Sequence, residues 1–517
     1  LKQSILRMLS TIQYMPKDIR MQERHHLDRA QQPASIDDME PEAFRAYAHE
    51  VVDWIADYLT NVESYPVLAH TAPGDIRRAL PAQAPAQPES MGSILEDFER
   101  VIMPGITHWN VPGFMAYFAN TASGPGILGE MLTGALNVNA MLWRTSPAAT
   151  ELEQVTLDWL RQMLGLPDPL FGVINDTASS GVLYALAAAR EALPLHIRQN
   201  GMAGRADMPR LRFYASREAH SSVEKAGIVL GVGQAGLRKI DVDDQFRMDA
   251  GLLEQAIRED IAEGWQPFAV VATVGTTSTT SIDPVPEIAD ICERYGLWLH
   301  VDGAYGGSAA VDPAMQWVLA GCDRADSIIL NPHKWLFTPM DCSIFYTRKP
   351  DVLKAAFSLV PEYLRNTESA GDEVPNLMDY GTSLGRRFRS LKLWMILRYF
   401  GQEGMAARIH QHIRLAQLFA QWVDDSPSFE RMAPSPFSTV CFRAHPRGLD
   451  DEAQLEALNE RIMNHTNESG RFFLSHTKLH DQFTMRVAIG NLRTSEQHMR
   501  ALWDDLQAML AAETNNK

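Results

Sequence analysis

Cysteine is scarce in this chain of 517 residues, which contains four of them. They are Cys292, Cys322, Cys342 and Cys441, and no two of them form a CxxC pair. The sequence therefore predicts neither a disulfide framework nor a zinc site, and we expect no bound metal. So few cysteines in so long a chain are typical of a reducing compartment, and the expected location is the cytoplasm.

Basic residues are outnumbered, and long apolar runs are missing. Lys and Arg total 47 against 64 for Asp and Glu, which leaves a net charge of -17. An acidic surface of that size repels nucleic acid and anionic membranes, so we expect neither as a partner. No apolar run reaches the roughly 18 residues that a membrane-spanning helix needs. Charges also interrupt residues 1–26 before the core of a signal peptide develops.

The composition is that of a globular protein, with 45% hydrophobic and 21% charged residues. Its length allows roughly two to four domains. Residues 1–38 are polar and weakly patterned, and we expect them to form an extension. A helix is predicted next, because apolar residues from Phe44 to Leu59 recur every three or four positions after Pro41. The Pro- and Ala-rich residues 81–90 predict an extended linker.

Short β-branched or aromatic runs alternate with helical stretches between residues 170 and 347. This alternation predicts a mostly parallel sheet with helices on both faces, which places chemistry in loops at the carboxyl ends of the strands. The strand-like runs are 211–216, 268–274, 297–302, 327–331 and 342–347.

The last third of the chain has a different pattern. Residues 358–384 contain few apolar side chains, and a loop of that length is usually functional or mobile. A helical stretch from 388, strand-like runs at 439–445, 471–477 and 484–489, and a terminal helix predict a separate α+β domain.

Two charged residues stand at the ends of predicted strands. Lys334 lies in the motif NPHKW directly after a strand, and a lysine is costly to bury unless its amine has a task such as forming a Schiff base. Asp302 ends the strand LWLHVD, where its carboxylate suits the protonated ring nitrogen of pyridoxal phosphate (PLP). Singly, a solvent-exposed lysine and a turn aspartate are the commoner interpretations. Together in one α/β region they favour PLP.

Hydroxyl-rich loops also follow predicted strands. Residues 176–181 (DTASSG) offer Thr177, Ser179 and the amides of a helix N-terminus to a phosphate, although ordinary helix caps have the same composition. The loop 275–281 (GTTSTTS) offers Thr276 or Thr277 to the edge of a cofactor. His220 opens a helix after another strand, where an imidazole stacks on a flat ring or serves only the structure.

With these motifs the chain resembles the group II pyridoxal-dependent decarboxylases, and among them the aromatic-L-amino-acid decarboxylases. The similarity runs from about residue 40 to near the C-terminus. It is carried by WNVPGFMAYF (109–118), SPAATELE (146–153), AHSSVEKAG (219–227), TVGTTSTTSID (273–283), LWLHVDGAYGGSA (297–309), NPHKW (331–335), DCS (341–343) and LGRRFRSLKLW (384–394).

The resemblance implies the PLP-dependent transferase fold of type I, with a mostly parallel seven-stranded sheet. It also implies an order of domains. We expect an extension at 1–38, an N-terminal helical segment at 39–123 that packs on a dimer partner, a large PLP-binding domain at 124–390 and a small α+β domain at 391–517.

The resemblance further implies roles for individual residues. Lys334 is expected to bind PLP covalently, Asp302 to keep the ring nitrogen protonated, and His220 to stack on the ring near the substrate carboxylate. Tyr363 matches a loop tyrosine that protonates the substrate carbon in the active site of the neighbouring subunit, which implies a homodimer with active sites at its interface. The other expected cofactor contacts are Thr177, Ala178, Thr277, Ala304, Ser327, Asn331 and His333.

Substrate contacts are implied in the same way. Gly385 stands where a serine accompanies histidine specificity in a sister family, and it leaves room for a bulky aromatic side chain. Asn110, Asn120 and Met141 depart from the usual pattern. The expected substrate contacts are Trp109, Tyr117, Phe118, Thr121, Met141 and Gly385.

The predicted function is PLP-dependent decarboxylation of an aromatic L-amino acid to the amine and CO₂. One alternative is an aldehyde synthase that also deaminates its substrate, and the presence of both Tyr363 and His220 argues against it. A decarboxylase of histidine or glutamate is a second alternative, about which Arg386 and Arg387 decide nothing. A non-catalytic binding protein is the third, and the intact lysine, aspartate and histidine argue against it.

Overall fold

The structure of the protein is a computed structural model that describes residues 38–359 and 374–515. By its internal packing the chain divides into two compact units. One comprises the described residues up to Phe114 together with Arg461–Leu474 and those from Arg500 onward, and the other comprises Met115–Glu460 and Ser475–Met499. The predicted boundaries after residues 38, 123 and 390 differ from these divisions and stay predictions.

Helices are numbered here in chain order over the described residues. The predicted helix after Pro41 is confirmed as α1, and α13 changes direction at Gly401, whose φ is 63°. The helices are α1 (Pro41–Thr60), α2 (Asp75–Ala79), α3 (Met91–Asp97), α4 (Gly124–Leu136), α5 (Pro147–Met163), α6 (Ala178–Glu191), α7 (Ile197–Asn200), α8 (Ser221–Val229), α9 (Ala250–Ala262), α10 (Val285–Tyr295), α11 (Pro332–Trp335), α12 (Pro350–Phe357), α13 (Arg389–Asp424), α14 (Glu452–Glu468) and α15 (Glu496–Asn515).

The strands of the larger unit form two sheets. The first has seven strands in the order β1-β7-β6-β5-β4-β2-β3, and only β7 runs antiparallel to its neighbours. The second has four antiparallel strands in the order β10-β11-β9-β8. The strands are β1 (Phe171–Asn175), β2 (Arg210–Ser216), β3 (Leu237–Ile240), β4 (Trp265–Thr273), β5 (Trp298–Asp302), β6 (Ser327–Leu330), β7 (Ser343–Thr347), β8 (Phe429–Arg431), β9 (Thr439–Ala444), β10 (Ser475–Leu479) and β11 (Gln482–Ala488).

The seven-stranded sheet is covered on both faces, as its apolar strands predict. On β4, Val270 and Ala272 belong to one apolar cluster, and Ala269 and Val271 belong to another. Because successive side chains of a strand point to opposite faces, the two clusters lie on opposite sides of the sheet. The predicted mostly parallel α/β sheet of fold type I is therefore confirmed.

The direction of the parallel strands places the candidate residues. Asp302 ends β5, Asn331 follows β6, and the loop 275–281 comes after β4. Thr177 follows β1 and His220 follows β2. Because β1, β2, β4, β5 and β6 run in one direction, all these residues lie at the same edge of the sheet, where open α/β folds bind their ligands.

In the smaller unit, aromatic side chains hold α1. Trp54 Nε1 donates to Glu99 Oε1 at 3.0 Å, and the ring of Tyr58 stacks on that of Trp54. Tyr58 Oη is hydrogen-bonded to His108 Nδ1, and burial lowers the pKa of His108 to about 4. Over residues 38–359 and 374–515, no helix combines the length and the apolar character that crossing a membrane requires.

Candidate functional site

Lys334 lies one helical turn beyond the end of β6, in α11. Its Nζ is 5.1 Å from the ring centroid of Phe118. Burial lowers the pKa of Lys334, and the negative charge of Asp302 acts in the opposite direction. A lower pKa leaves more of the amine unprotonated, which is the form that attacks a carbonyl carbon.

Asp302 is at the centre of the sheet and is 5% exposed. It is in register with Thr273 of β4 and Ile329 of β6. Its Oδ1 accepts a hydrogen bond from the Ala304 amide at 3.0 Å, and in the described part of the chain its other oxygen accepts none. One oxygen therefore shapes the turn, as in an ordinary turn aspartate, and the expected pairing of this carboxylate with a ring nitrogen stays a prediction.

His220 is the N-cap residue of α8. Its Nδ1 accepts a hydrogen bond from the Ser222 amide at 3.2 Å and lies 2.8 Å from Ser222 Oγ. The ring is partly exposed, which leaves a face available for stacking. Partial withdrawal from water lowers the pKa of His220, an effect that Asp302 opposes and Lys334 adds to. The charges of Asp302 and Lys334 both act on His220, so the structure brings these three residues together.

The N-terminus of α6 and the segment after β6 offer polar groups for a phosphate. Thr177 is the N-cap residue of α6 and Ala178 is its first residue, so the amides of the first turn have no acceptor within the helix. Asn331 is buried, and its Oδ1 has no hydrogen-bond partner in the described part of the chain. His333 Nδ1 accepts from the Cys342 amide at 3.1 Å, and burial lowers the pKa of His333 to about 4.

These residues fit PLP. A lysine amine suits its aldehyde, a carboxylate suits its ring nitrogen, and a helix N-terminus suits its phosphate. The side-chain amide of buried Asn331 makes no hydrogen bond within the described residues, and its Nδ2 would be the donor to a phosphate, because Oδ1 only accepts. Among residues 38–359 and 374–515, no group of His, Cys, Asp or Glu is arranged to hold a metal ion.

The two candidate threonines of the loop after β4 differ in burial and in hydrogen bonding. Thr276 is buried, and its hydroxyl bonds Thr279 Oγ1 and the Ser281 amide, so it serves the turn. Thr277 is exposed, and its carbonyl accepts a hydrogen bond from Arg486 at 2.8 Å. Thr277 is thus the one of the two that is free to contact a cofactor.

Arg486 is a residue of this site that the sequence analysis missed. Its guanidinium also donates to Ser278 O at 2.8 Å and lies 5.5 Å from the ring centroid of Phe118. Burial lowers its pKa. In the strand-like run TMRVAI, Arg486 has the spacing of an ordinary outward-facing residue, so nothing in the sequence indicates that it belongs to the site.

Ser327 is not placed with the other expected phosphate contacts, and that expectation is corrected. It begins β6, whereas Asn331 and Lys334 follow the opposite end of that strand. Its Oγ accepts from Trp298 Nε1 at 2.9 Å and lies 2.8 Å from His300 Nδ1. The family resemblance implied a phosphate contact for Ser327, but the length of β6 separates it from the end of the strand that Lys334 follows.

Among the expected substrate contacts, Phe118 is the one with a ring against Lys334. It stacks on Tyr305 with centroids 3.8 Å apart, and Tyr305 stacks in turn on Trp335 at 4.6 Å. Ala304, one of the expected cofactor contacts, is buried. In the sequence it lies between Asp302 and Tyr305.

The remaining expected substrate contacts have varied surroundings. Tyr117 is exposed with φ of 53°, and Thr121 is buried with its Oγ1 donating to Gly490 O at 3.4 Å. Met141 O accepts from the Met378 amide, and a Cβ at Gly385 would lie 3.9 Å from Asn139 Nδ2, an ordinary van der Waals contact. Trp109 belongs to the smaller unit, where it stacks on Phe114. Tyr363 lies outside the described residues.

Comparisons with known proteins show which family the chain resembles. A family model described as the pyridoxal-dependent decarboxylase conserved domain matches residues 73–445. The chain is 40% identical over 473 residues to tryptophan decarboxylase TDC2 of Camptotheca acuminata, covering 90% of this chain and 94% of that protein. It is 39% identical over 477 residues to phenylacetaldehyde synthase of Arabidopsis thaliana, covering 91% and 96%. The crystal structure of Oryza sativa TDC with PLP and tryptamine superposes with a TM-score of 0.89 at 35% identity, covering 93% of this chain and 100% of that one.

Proposed function

The chain belongs to the pyridoxal-dependent decarboxylase family, and on this premise we propose that it decarboxylates an aromatic L-amino acid of the tryptophan, tyrosine, DOPA or phenylalanine type. The products are the corresponding amine and CO₂, and PLP is the cofactor. The observation that carries the proposal is Lys334, whose Nζ lies 5.1 Å from the ring centroid of Phe118 and which follows β6 at the edge of the sheet where Asp302 ends β5.

Bound PLP supplies a ring that accepts the electrons released when CO₂ leaves the substrate. Lys334 holds the cofactor through Nζ, because its lowered pKa favours the nucleophilic amine. Asp302 keeps a proton on the ring nitrogen through its negative charge. His220 offers its partly exposed ring for stacking, and Tyr363 remains the predicted proton donor to the substrate carbon.

Two arginines support an aromatic over an acidic substrate. Arg386 is buried and donates to Glu153 Oε1 at 2.8 Å and to Ile174 O at 2.7 Å. Arg387 is paired with Glu130. Because both guanidinium groups have partners within the fold, neither is offered to the distal carboxylate of glutamate. Phe118, in contrast, presents an aromatic ring beside the reactive lysine.

A second candidate function is an aldehyde synthase, because one relative of nearly equal identity is a phenylacetaldehyde synthase. We rank it below amine formation, since the chain has both Tyr363 and His220.

We also propose a homodimer in the cytoplasm. Helix α4 has Leu128, Met131, Leu132 and Leu136 exposed, with accessible fractions between 41% and 58%. Apolar side chains at this helical spacing favour burial against another chain. The four cysteines are all free and buried, which is compatible with a reducing compartment.

Product identification tests the proposal. Purified protein with PLP is incubated with tryptophan, tyrosine, phenylalanine, DOPA, histidine and glutamate, and the products are analysed by mass spectrometry. We expect an aromatic amine with CO₂, and an aldehyde with ammonia would instead establish the second candidate. Lys334→Ala should abolish turnover.

Lys349 provides a matched control for that variant. It also follows a strand and has its Nζ 5.0 Å from an aromatic centroid, that of Trp298, but it is paired with Asp326 away from Asp302. Lys349→Ala should retain turnover. A Lys334→Ala protein that still released CO₂ at the wild-type rate would contradict the proposal.

A further inference from the structure

A buried hydrogen-bonded group of three residues lies in the sheet beside Asp302, and the function proposed above does not use it. Trp298 Nε1 donates to Ser327 Oγ at 2.9 Å, and Ser327 Oγ lies 2.8 Å from His300 Nδ1. His300 and Ser327 are 0% exposed and are register partners on β5 and β6.

The hydrogen bonds of this group fix the tautomer of His300. An indole N–H only donates, so Trp298 occupies a lone pair of Ser327 Oγ. Within the described residues, Ser327 Oγ has one further partner, so its hydroxyl hydrogen is satisfied only by pointing at His300 Nδ1. Burial lowers the pKa of His300 to about 4, although the charge of Asp302 and a hydrogen bond to the Ser327 backbone act in the opposite direction. With Nδ1 accepting from the Ser327 hydroxyl, the neutral ring carries its hydrogen on Nε2.

The Nε2 of His300 is buried and has no hydrogen-bond partner in the described part of the chain. An unpartnered buried donor is destabilising, so its presence calls for an explanation. His412 shows the contrast, because its Nδ1 accepts from Trp335 Nε1 at 3.0 Å and its Nε2 is satisfied by Asn491 O at 3.1 Å.

Asp302 is the neighbour that explains the unpartnered donor. It lies two residues after His300 on β5, so the two side chains project from the same face of the sheet. Asp302 is also the ionisable residue whose charge acts on His300. A fixed N–H dipole beside a buried carboxylate stabilises its ionised form.

We propose that His300 is a positioning residue for Asp302: Ser327 holds the imidazole so that Nε2–H stabilises the ionised carboxylate that pairs with the ring nitrogen of PLP. The inference rests on the role of Asp302 in the proposed function and is independent of which amino acid is decarboxylated. In this inference Ser327 orients the imidazole of His300 and does not contact the phosphate.

Two variants of nearly equal size test the donor. His300→Gln keeps an N–H donor near the position of Nε2, whereas His300→Met fills the same space without one. The dissociation constant for PLP is measured by titrating the full chain, freed of PLP, and following fluorescence quenching. We expect His300→Met to raise this constant about tenfold or more, since the N–H dipole beside the carboxylate is lost, and His300→Gln to stay within about threefold of wild type.

A second measurement uses the imidazole ¹⁵N signals of the PLP-free chain. Wild-type His300 should show the Nε2–H tautomer, and Ser327→Ala should lower the population of this tautomer and weaken PLP binding. The Ser327→Ala variant also carries the test if neither His300 variant folds.

The outcomes separate this inference from the proposed function. A wild-type chain that takes up no PLP would overturn the proposed function itself. If the wild-type chain binds PLP and the His300→Gln and His300→Met variants bind it with equal affinity, only the role of His300 is overturned. An Nδ1–H tautomer in the wild-type protein would do the same.

Discussion

Asp302 and Asp312 accept the same kind of backbone hydrogen bond, yet only one of them faces the reactive lysine. The Oδ1 of each accepts from the amide two residues ahead at 3.0 Å, that of Ala304 or of Ala314. Both are buried. The charge of Asp302 acts on Lys334, whereas that of Asp312 does not. Comparing the two aspartates therefore separates the effect of the negative charge of Asp302 from the effect of its hydrogen bond in the turn.

We expect Asp302→Asn to lower kcat/KM for decarboxylation about 100-fold or more, because the variant keeps the turn acceptor but loses the charge that the ring nitrogen needs. Steady-state rates measured with saturating PLP check this. Asp312→Asn is the matched control and should stay close to wild type. An Asp302→Asn enzyme with activity within threefold of wild type would refute the electrostatic role.

Single residues of the site differ in how well the sequence predicted them. Lys334 and Asp302 were singled out because both stand at strand ends of one α/β region, and the structure places both at the same edge of the sheet. Ser327 was expected at the phosphate from the family resemblance, but it begins β6 at the opposite end from Lys334. Arg486 and His300 were missed, since their positions depend on which strands pair.

At the scale of elements, His220 has two structural roles, one at the N-terminus of α8 and one in the candidate site. Its Nδ1 caps α8 by accepting from the Ser222 amide, and its partly exposed ring is affected by the charges of Asp302 and Lys334. A cap needs only an acceptor, whereas stacking needs the ring. Substitutions therefore separate the two roles.

We expect His220→Asn to fold with wild-type stability, because asparagine is a good N-cap residue, but to lose most of its activity with the ring. His220→Ala should lose the same activity and, in addition, about 1 kcal/mol of the free energy of unfolding. Urea unfolding and kcat/KM measure the two effects. A fully active His220→Asn enzyme would show that the imidazole is dispensable.

The sequence predicted the central strands better than the edges and some helices. The buried runs of β4 and β5 are continuous and apolar, whereas the edge strand β3 (LRKI) has two charges in four residues and was not predicted. Helix α4 was also not predicted, because its glycines are unfavourable in a helix. A Cβ at Gly129 would lie 2.6 Å from Lys392 Cα, so close packing against α13 requires that glycine. Strand order likewise depends on contacts distant in sequence.

At the scale of the whole molecule, the exposed apolar side chains of α4 suggest a second copy of the chain. Leu132 is 50% exposed, so a charge there would cost a single chain little. In a dimer that buries α4, the same charge would lose its hydration and oppose association.

We therefore expect Leu132→Lys to convert a dimer into monomers and to lower activity, while the far-ultraviolet circular dichroism stays unchanged. Sedimentation velocity measures the change of mass. Leu252→Lys, at a comparably exposed leucine on α9, is the control and should stay dimeric. A Leu132→Lys protein with the wild-type sedimentation coefficient would place the interface elsewhere.

Buried neutral histidines make the molecule sensitive to acid. Burial lowers the pKa of His108, His300, His333 and His412 to about 4 in each case. The ordinary pKa of about 6.5 applies once the chain unfolds. Unfolding below pH 6.5 therefore takes up protons, and each of these histidines makes the fold less stable as the pH falls from about 6.5 towards 4.

His412 allows one such contribution to be measured, because it is not among the residues proposed to bind PLP and both its ring nitrogens are hydrogen-bonded. His412→Gln cannot titrate, so the loss of unfolding free energy between pH 7 and pH 5 should be smaller than in wild type by about 2 kcal/mol. At pH 7 the variant is itself less stable, since Trp335 Nε1 then lacks its nitrogen acceptor. Urea unfolding of the PLP-free chain at both pH values measures the difference. Equal losses in the two proteins would mean that His412 is already protonated in the fold, or that it is exposed to water at pH 5.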